Sequence, residues 1–485
     1  MMDLRSSPSR DNMGGSKWRQ YLALTWKVLR SMNVEPALLL FSLQIGIQQT
    51  VLQPFLYYRV CVDLYWNEIY STEDLCHDLS EINDTMNNVV SSKVSTFTVY
   101  MTICNSVPAF LLCPIICAWS DSGGGRKAPL LLALAATVCA HLPYLVCTAT
   151  TWVSYYWILL GAIISSLGGS AMVVFATSFS SIADESRMRT HRRAPLLRLE
   201  SEDDHPPSLA EPETESEEDK IITIRIGLGS AAFMLGVVFG CLIGTVCRAS
   251  SKFSAYYWPF LVSQCSVALA FFYILLLARE TFDPEIFLEE IPGDRPSEDD
   301  LMDGGERRVP DVRVVLKSAS GTLRKVLDTI WQKLKEAAEA LMAPRDGRKK
   351  ALIWIGLGLN FLQMTCSMGP GALIMLFVKR KPLSWSDIEY GYFQAYISGM
   401  AAIGMTVVPI GINKLPYLKD SPSKDTIIVI FGCIMSATYF SFFAFAATDS
   451  MVYAAGAFML FANLYLPGFR SFFSKLVGQE ETGMC

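Results

Sequence analysis

The sequence predicts an all-α membrane protein that crosses the bilayer several times. Hydrophobic residues make up 51% of its 485 residues. They are gathered into long runs with few or no charges, whereas the cores of soluble domains would disperse them. Each run is long enough to cross roughly 30 Å of hydrocarbon. Because backbone polar groups in lipid must be satisfied within their own segment, we expect each run to be a helix.

Ten such runs are predicted, six before a long polar stretch and four after it. The first six, called segments 1 to 6, lie at about 36–60, 97–119, 129–147, 153–179, 224–246 and 256–277. Segments 7 to 10 lie at about 351–378, 390–412, 426–446 and 451–469. Two groups of helices separated by a long loop are typical of a transporter made of two six-helix halves.

The charges around these segments predict the orientation of the chain. A tail, 1–34, carries several Lys and Arg and is expected in the cytoplasm. The next loop, 61–92, is acidic and would face outward, where Asn83 of the sequon Asn83-Asp84-Thr85 could be glycosylated. Cys61 and Cys76 lie in or beside this loop, and an oxidising compartment would permit a disulfide between them, although the sequence leaves this open.

One group of basic residues disagrees with this orientation. Lys379-Arg380-Lys381, between segments 7 and 8, falls on the outer side. Glu389, at the outer start of segment 8, is a candidate partner for this run.

Two polar stretches interrupt the pattern of segments. The first half, 35–278, contains an acidic cytoplasmic insert at 191–222, which we expect to be disordered because it has few apolar residues. The central loop, 279–350, contains a helical pattern with one apolar face between Leu323 and Leu341. That helix either lies on the inner membrane surface or packs on the bundle as a linker. The second half, 351–470, and a cytoplasmic tail, 471–485, follow.

Corresponding segments of the two halves carry helix breakers. Segments 1 and 7 contain Gln53-Pro54 and Gly369-Pro370-Gly371, and segments 4 and 10 contain Gly168-Gly169 and Pro467-Gly468. Interrupted segments at matching positions indicate a transport site. Proline is common in any membrane helix, so the pairing carries the prediction and no single breaker does.

The loop between segments 2 and 3 is short and charged. It holds Asp121, Arg126 and Lys127 together with three glycines, which permit a tight turn and a close approach of helix ends. Asp121 could reach a helix N-terminus or an arginine, and the two cations could pair with acids or lipid phosphates. Such a cluster could hold two helix bundles together on the cytoplasmic side. The alternative is that the charges only set the topology.

This loop, "CAWSDSGGGRK", resembles the Gly-x-x-x-Asp-x-x-Gly-Arg-Arg/Lys loop that joins helices two and three in the major facilitator superfamily. More narrowly, "AWSDSGGGRKAP", "SIADESRMRT", "IRIGLG", "PLSWSDIEYGY" and "RSFFSKLV" resemble solute carrier family 46, the proton-coupled folate transporter group. The resemblance, from about 34 to 477, implies the major facilitator fold, with six helices plus an incomplete second half of four. It also implies a cytoplasmic gate at Asp121, Arg126 and Lys127, and a gate contact of Arg225 with Asp184 or Glu185.

The sequence departs from the family pattern in four places. An extra glycine precedes Arg126, and the acidic insert separates Thr190 from Ile224. Ser230 stands where the folate transporter has an acidic residue, and helices eleven and twelve are not found before Cys485. From the last departure we expect these residues to transport little alone, because polar groups of the second half would face lipid.

Polar side chains in the segments that would line a cavity are candidate solute ligands. They are Gln44, Gln48 and Tyr58 in segment 1, Asn360 and Gln363 in segment 7, and Asn463 in segment 10. Intramembrane polar groups usually face the interior, but interhelical hydrogen bonding is the commoner explanation for uncharged amides. His141, in segment 3, is a candidate proton relay or simply a buried residue.

The sequence lacks a metal-ligand cluster, a Walker loop, an HExxH motif and a nucleophile elbow, so we predict neither an enzyme nor a cofactor. Without a nucleotide-binding domain, transport would draw on a gradient. The prediction is gradient-driven, proton-coupled transport of an organic solute, and the resemblance implies an anionic one such as a folate or small glycopeptide. The expected partners are this solute, protons and membrane lipid, with no nucleic acid, in the plasma membrane or an endolysosomal membrane. The alternative is a shortened, non-transporting membrane protein or an interaction platform.

Overall fold

The computed structural model describes residues 32–65, 76, 84–120, 125–150, 152–200, 211–250, 256–281, 335, 349–371, 373–414, 424–466, 468–469 and 472. Every regular element in these ranges is a helix. The helices of the first half are α1 Glu35–Tyr65, α2 Asp84–Trp119, α3 Lys127–Ala149, α4 Trp157–Leu167, α5 Ser170–Glu200, α6 Glu211–Ser250 and α7 Tyr257–Leu276. Those of the second half are α8 Lys349–Gly371, α9 Ile374–Val378, α10 Asp387–Lys414, α11 Lys424–Ala444, α12 Asp449–Ala457 and α13 Met459–Ala462.

Six stretches of helix in the described residues are long and apolar enough to cross a membrane. They are Thr85–Trp119, Lys127–Ala149, Trp157–Glu185, Gly227–Ala249, Tyr257–Leu276 and Thr426–Ala444. Helix α1 is 31 residues long, but four glutamines between Gln44 and Gln53 lower its hydropathy. Its polar residues pack inside the protein, where Gln44 and Thr50 are buried.

The most extensive helix contact in the first half is between α1 and α6. Helix α1 also packs against α7, and α6 also packs against α10. Gly236, Gly240 and Gly244 form one face of α6, and a Cβ atom at any of them would collide with α1. This repeated spacing of small residues is typical of a close-packing seam between helices. Helix α10 packs on both α6 and α1 and so joins the two halves.

The predicted breakers have different outcomes. Segment 4 is divided into α4 and α5 at Gly168-Gly169, where Gly169 has φ +78°, a left-handed conformation that favours glycine. Segment 7 is divided into α8 and α9 after Gly371. Helix α1, in contrast, continues through Pro54 without a break. The matched interruption predicted for segments 1 and 7 is therefore present only in segment 7.

The acidic insert differs from its expected disorder. Helix α5 continues to Glu200 and α6 begins at Glu211, so helix enters the insert from both sides. Its many Glu, Arg and Leu residues are good helix formers, which explains why low hydrophobicity did not exclude a helix. The amphipathic pattern of the central loop lies outside the described residues except for Lys335, and Asn83 and Asp121 also lie outside them.

The two ends of the bundle have different apolar cores. We call the end that carries the Cys61–Cys76 disulfide the disulfide end, and the opposite end, with the α2–α3 loop, the Arg126 end. The core at the disulfide end combines first-half residues such as Phe55 and Phe260 with second-half residues such as Met375 and Phe393. The described core at the Arg126 end draws its members from the first half alone.

Candidate functional site

At the Arg126 end, the start of α3 and the end of α7 stabilise each other. Glu280, just after α7, accepts hydrogen bonds from the backbone N–H groups of Arg126 at 2.7 Å and Lys127 at 3.1 Å. Lys127 Nζ donates to the carbonyls of Leu275 and Ala278 at 3.1 Å and 2.8 Å. An anion thus caps a helix N-terminus and a cation caps a helix C-terminus, as the helix dipoles favour.

Gly125 makes this arrangement possible. It has φ +73°, and a Cβ atom there would lie 2.6 Å from the Glu280 carboxylate. A side chain at this position would therefore be strained and would push the capping carboxylate away. This is the local requirement behind at least one of the glycines in the loop.

The Arg126 side chain forms a buried ion pair. Its Nε donates to Asp184 Oδ2 of α5 at 2.7 Å, and its Nη1 donates to Ser120 Oγ at 3.2 Å. The side chains of Arg126 and Asp184 are only 8% and 14% exposed. Removing either partner would take this counter-ion away from a largely buried charge, which is the costly way to break such a pair.

Arg225 of α6 lies in a second ion-pair group at this end. Its Nη2 lies 3.1 Å from Glu185 of α5 and 3.4 Å from Glu35 at the start of α1. Glu35 also accepts hydrogen bonds from the backbone N–H groups of Asn33 and Val34. The contact of Arg225 with Glu185 is one of the two alternatives drawn from the sequence, whereas the role of Glu35 was not foreseen. Each ion pair described at this end has both partners in the first half.

At the disulfide end, a buried charged cluster joins the two halves. Asp387 is the first residue of α10 and lies 2.7 Å from Lys379 Nζ. It also lies 3.2 Å from Nη2 of Arg248, a residue near the end of α6. The Tyr256 hydroxyl, just before α7, donates to Asp387 Oδ2 at 2.6 Å. Asp387 and Lys379 belong to the second half, and Arg248 and Tyr256 to the first. We call these four residues the cross-half cluster.

Aromatic rings cover the cations of this cluster. Arg248 lies over the Tyr256 ring at 4.5 Å, and Lys379 Nζ lies over the Tyr57 ring of α1 at 4.8 Å. The Tyr57 hydroxyl in turn donates to Asn87 of α2 at 2.7 Å. Desolvated cation–π contacts of this kind strengthen the hold of the first half on Lys379.

The charge state of the cluster follows from its partners. Asp387 lies ahead of the predicted membrane segment that begins near residue 390. Burial acts to raise the pKa of its carboxyl, but the charges of Lys379 and Arg248 and the hydrogen bond from Tyr256 hold this pKa well below its usual range. The carboxylate therefore stays ionised in mild acid, and the cluster stays intact.

The contact between halves continues from the cluster toward the middle of the bundle. Tyr390 OH donates to the Gln49 carbonyl at 3.4 Å, and the Cys241 thiol lies 3.8 Å from Ser398 Oγ. Gly391 lies directly against Thr245, since a Cβ atom there would collide with that side chain. Side-chain packing therefore closes the part of the interface between the cross-half cluster and the middle of the bundle.

The candidate solute ligands lie in separate places. Gln44 and Gln48 contact His141 within the first half, and the Tyr58 ring lies 5.5 Å from that of Tyr256. Gln363 Nε2 donates to Ser436 of α11 at 3.1 Å. Asn360 is half-buried on α8 and Asn463 is half-buried just after α13. The role of these six residues as solute ligands stays a prediction.

His141 is 2% exposed and occupies a polar position inside the first half. The amide nitrogens of Gln44 and Gln48 lie 3.1 Å and 2.9 Å from its Nε2. Its Nδ1 lies 2.7 Å from the Thr137 carbonyl oxygen. The sequence singled out all three polar side chains but not their association.

The partner expected for the basic run after segment 7 needs a correction. Lys379 of that run pairs with Asp387, whereas Glu389 accepts hydrogen bonds from Ser386 N and Oγ, as in a capping box. Asp387, two residues before Glu389, points across the interface. Glu389 points back over the start of its own helix. The basic run on the outer side was the signal that could have led to the cluster.

Comparison with known proteins identifies the architecture. No protein-family model matches the chain. A lysosomal proton-coupled steroid conjugate and bile acid symporter of Gallus gallus is 21% identical over 461 residues, 93% of this chain and 82% of that protein. The proton-coupled folate transporter of Bos taurus is 22% identical over 461 residues, 95% of this chain and 82% of that protein.

Among solved structures, the human organic anion transporter MFSD10 matches with a TM-score of 0.54 and 15% identity, covering 93% of this chain and 87% of that one. At this identity the match bears on the fold alone. The predicted resemblance is confirmed: the chain is a multi-pass membrane protein with the major facilitator fold and is similar to the transporters of solute carrier family 46.

Proposed function

We propose that this protein carries an organic anion across a membrane, coupled to protons, by alternating access of a central site to the two sides. The similar proteins are named for proton-coupled transport of folate and of steroid conjugates and bile acids. These compounds are organic molecules that carry an anionic group at neutral pH. Arg248 and Lys379 in the interface between the halves also favour an anionic solute.

The observation that carries this proposal is the unequal joining of the two halves. At the disulfide end, a buried cluster and a shared apolar core hold the halves together. At the Arg126 end, the described ion pairs and the described core belong to the first half. Such an arrangement fits one state of an alternating cycle, in which the disulfide end is shut and the other end is not.

In the opposite state, the second half would close on the Arg126 end. Arg126, Lys127 and Arg225 are held in a fixed arrangement there, and Asp121 belongs to the same loop. We propose that these four residues form the cytoplasmic gate surface on which the second half closes. The solute would lie between the halves, within reach of Tyr58, Asn360, Gln363 or Asn463.

The disulfide end is proposed to face the cell exterior or a lumen. It carries Cys61–Cys76, which are bonded, and the acidic loop with Asn83. Glycosylation of Asn83 and formation of the disulfide both require that side of the membrane. Solute and protons would then enter at the disulfide end.

Uptake by the purified full chain in liposomes tests the proposal. Labelled folate, a bile acid and a steroid conjugate are offered with the lumen buffered near neutrality and the outside acidified. We expect at least one to accumulate above its level without a pH gradient and to lose that excess when a proton ionophore collapses the gradient. Equal levels in empty and protein-containing liposomes for all three would contradict the proposal.

A further inference from the structure

With the Gln44 and Gln48 amides oriented as they are here, the hydrogen bonds of His141 correspond to a neutral ring. An amide nitrogen can only donate, and both Gln44 Nε2 and Gln48 Nε2 lie within hydrogen-bond distance of the same ring nitrogen, Nε2. His141 Nε2 must therefore accept, and Nδ1 must carry the hydrogen that it donates to the Thr137 carbonyl. The ring in this arrangement is neutral, with one lone pair held by two donors.

The same cluster contains a hydrogen-bond acceptor for the N–H group that a protonated ring would carry at Nε2. Among the described residues, Gln44 Oε1 is buried and has no hydrogen-bond partner. Gln44 as a whole is 3% exposed, so solvent does not compensate for this missing bond. Rotating the Gln44 amide by half a turn would exchange its two ends and present Oε1 to His141 Nε2. If the Gln48 amide also turned its hydrogens away from Nε2, a protonated ring could then donate to Gln44 Oε1 and to the Thr137 carbonyl.

Among the described residues, the groups in contact with the ring carry no permanent charge. The described groups that contact it are the amides of Gln44 and Gln48 from α1, the Thr137 carbonyl from α3, and the Tyr144 ring at 5.7 Å, edge to face. Of these, only Tyr144 can titrate, and its ordinary titration range lies far above neutrality. No carboxylate among them holds the ring permanently in its charged form.

Other candidates for a transported proton are less suitable. The cross-half cluster keeps Asp387 ionised through Lys379 and Arg248. The carboxylates of the Arg126 end, Asp184 and Glu185, are likewise paired with arginines. Histidine is the side chain whose charge ordinarily changes between about pH 5 and 8. His141 is the one histidine within the predicted membrane segments.

We propose that His141 is the proton-binding residue of the transport cycle, and that Gln44 and Gln48 are positioning residues whose amides turn when it is protonated. This inference rests on the proposed proton-coupled transport and names the group that performs the coupling. The proton from the acidic side would bind Nε2, which would change from acceptor to donor. Its release to the opposite side would restore the two amide donors and the neutral ring.

The first test compares two modes of transport in His141→Gln. Glutamine preserves a donor and an acceptor but cannot take up a proton near neutrality. With whichever of the three labelled solutes the wild-type chain accumulates, we expect gradient-driven accumulation to fall to the level seen without a gradient. Exchange of labelled for unlabelled solute at equal pH on both sides should persist, because it needs no net proton movement. Cys139→Ala, at an exposed position on the same helix, should change neither.

The outcomes separate the two proposals. If the wild-type chain shows no proton-driven accumulation of any of the solutes, the proposed function fails. If the wild-type chain accumulates solute and His141→Gln accumulates it equally, the proposed function stands and the assignment of His141 is overturned. Loss of accumulation with exchange retained supports the assignment.

A second measurement remains decisive if His141→Gln loses both activities or does not fold. The chain contains four histidines, and His77, His191 and His205 can be replaced together by glutamine. Magnetic resonance of the labelled imidazole in this variant, in lipid nanodiscs, then reports on His141 alone. We expect the ring to titrate over the pH range in which uptake rises. A ring that stays neutral throughout that range would overturn the proposal.

Gln44→Leu tests the positioning role. It leaves the neutral ring with one amide donor but removes the acceptor proposed for the protonated ring. Because a hydrogen bond to a charged group is lost, the titration should move by roughly one pH unit or more to the acid side. The pH profile of uptake should move with it. An unshifted titration would show that Gln44 does not take part.

Discussion

The two ends of the bundle use ion pairs differently. At the Arg126 end, Arg126 pairs with Asp184 and Arg225 pairs with Glu185, all within the first half. At the disulfide end, Arg248 of the first half and Lys379 of the second converge on Asp387. Pairs within one rigid half can persist through a cycle of domain motion, whereas pairs between halves must break in every cycle. The first set therefore acts on stability and the second on the balance between states.

This difference also predicts how each site responds to mutation. When a buried pair loses one partner, the other charge loses its compensation, and the free energy of unfolding falls. A pair between two moving bodies has an alternative, since separation of the bodies returns its charges to water. Substitution there shifts a conformational equilibrium before it threatens the fold.

Arg126→Ala is expected to have the largest effect. It removes the partner of Asp184 and should lower the free energy of unfolding by about 3–5 kcal/mol, the usual cost of breaking a buried pair. The measurement is the midpoint of thermal unfolding in detergent. Arg380→Ala, which removes an exposed cation at the other end, is the matched control and should leave the midpoint nearly unchanged. Equal midpoints for both variants would show that the Arg126 pair does not stabilise the first half.

Asp387→Asn is expected to shift the balance between states with little loss of stability. It removes the charge that holds Lys379 and Arg248, so the disulfide end should open more often, by about 5- to 150-fold if the coupling is 1–3 kcal/mol. Cys241, fully buried between the halves, is a native reporter. Its labelling by a membrane-impermeant maleimide, read at that site by mass spectrometry, should accelerate accordingly.

The control for this experiment is Asp449→Asn. Asp449 is a carboxylate at the same end that accepts a hydrogen bond from Trp385 within the second half. Its replacement should leave the labelling rate of Cys241 unchanged. If Asp387→Asn and Asp449→Asn label alike, the cross-half cluster does not hold the end shut.

The sequence predicted the features that depend on local pattern. Apolar runs predicted six stretches of helix that are long and apolar enough to cross a membrane. The resemblance of the α2–α3 loop directed attention to Arg126, and Arg225 was assigned to Asp184 or Glu185. Each of these inferences uses residues close in sequence or a motif that occurs with its structural context.

Contacts between distant elements could not be derived in the same way. Asp387 and Arg248 are 139 residues apart, and nothing in the local sequence distinguishes Asp387 from Glu389 as the residue that crosses the interface. Residues two positions apart on a helix project in different directions, so the orientation of α10 decides which of these two carboxylates crosses the interface. Similarly, Gln44, Gln48 and His141 were each identified as polar residues in a membrane segment, but their convergence depends on how α1 and α3 are placed relative to each other.

The smallest expected effect separates two contacts of Tyr57 at the disulfide end. Its ring lies under Lys379, and its hydroxyl donates to Asn87 of the same half. Tyr57→Phe removes the hydrogen bond but keeps the ring, so it should lower the free energy of unfolding by about 0.5–1.5 kcal/mol and leave Cys241 labelling unchanged.

Tyr57→Leu also removes the aromatic face that contacts Lys379. Since a desolvated cation–π contact contributes up to about 2 kcal/mol and this one joins the two halves, Tyr57→Leu should accelerate Cys241 labelling, though less than Asp387→Asn. Equal labelling rates for the two Tyr57 variants would mean that the ring does not help to hold the halves together, and the closure of this end would then depend on the ion pairs of Asp387 and the apolar core around them.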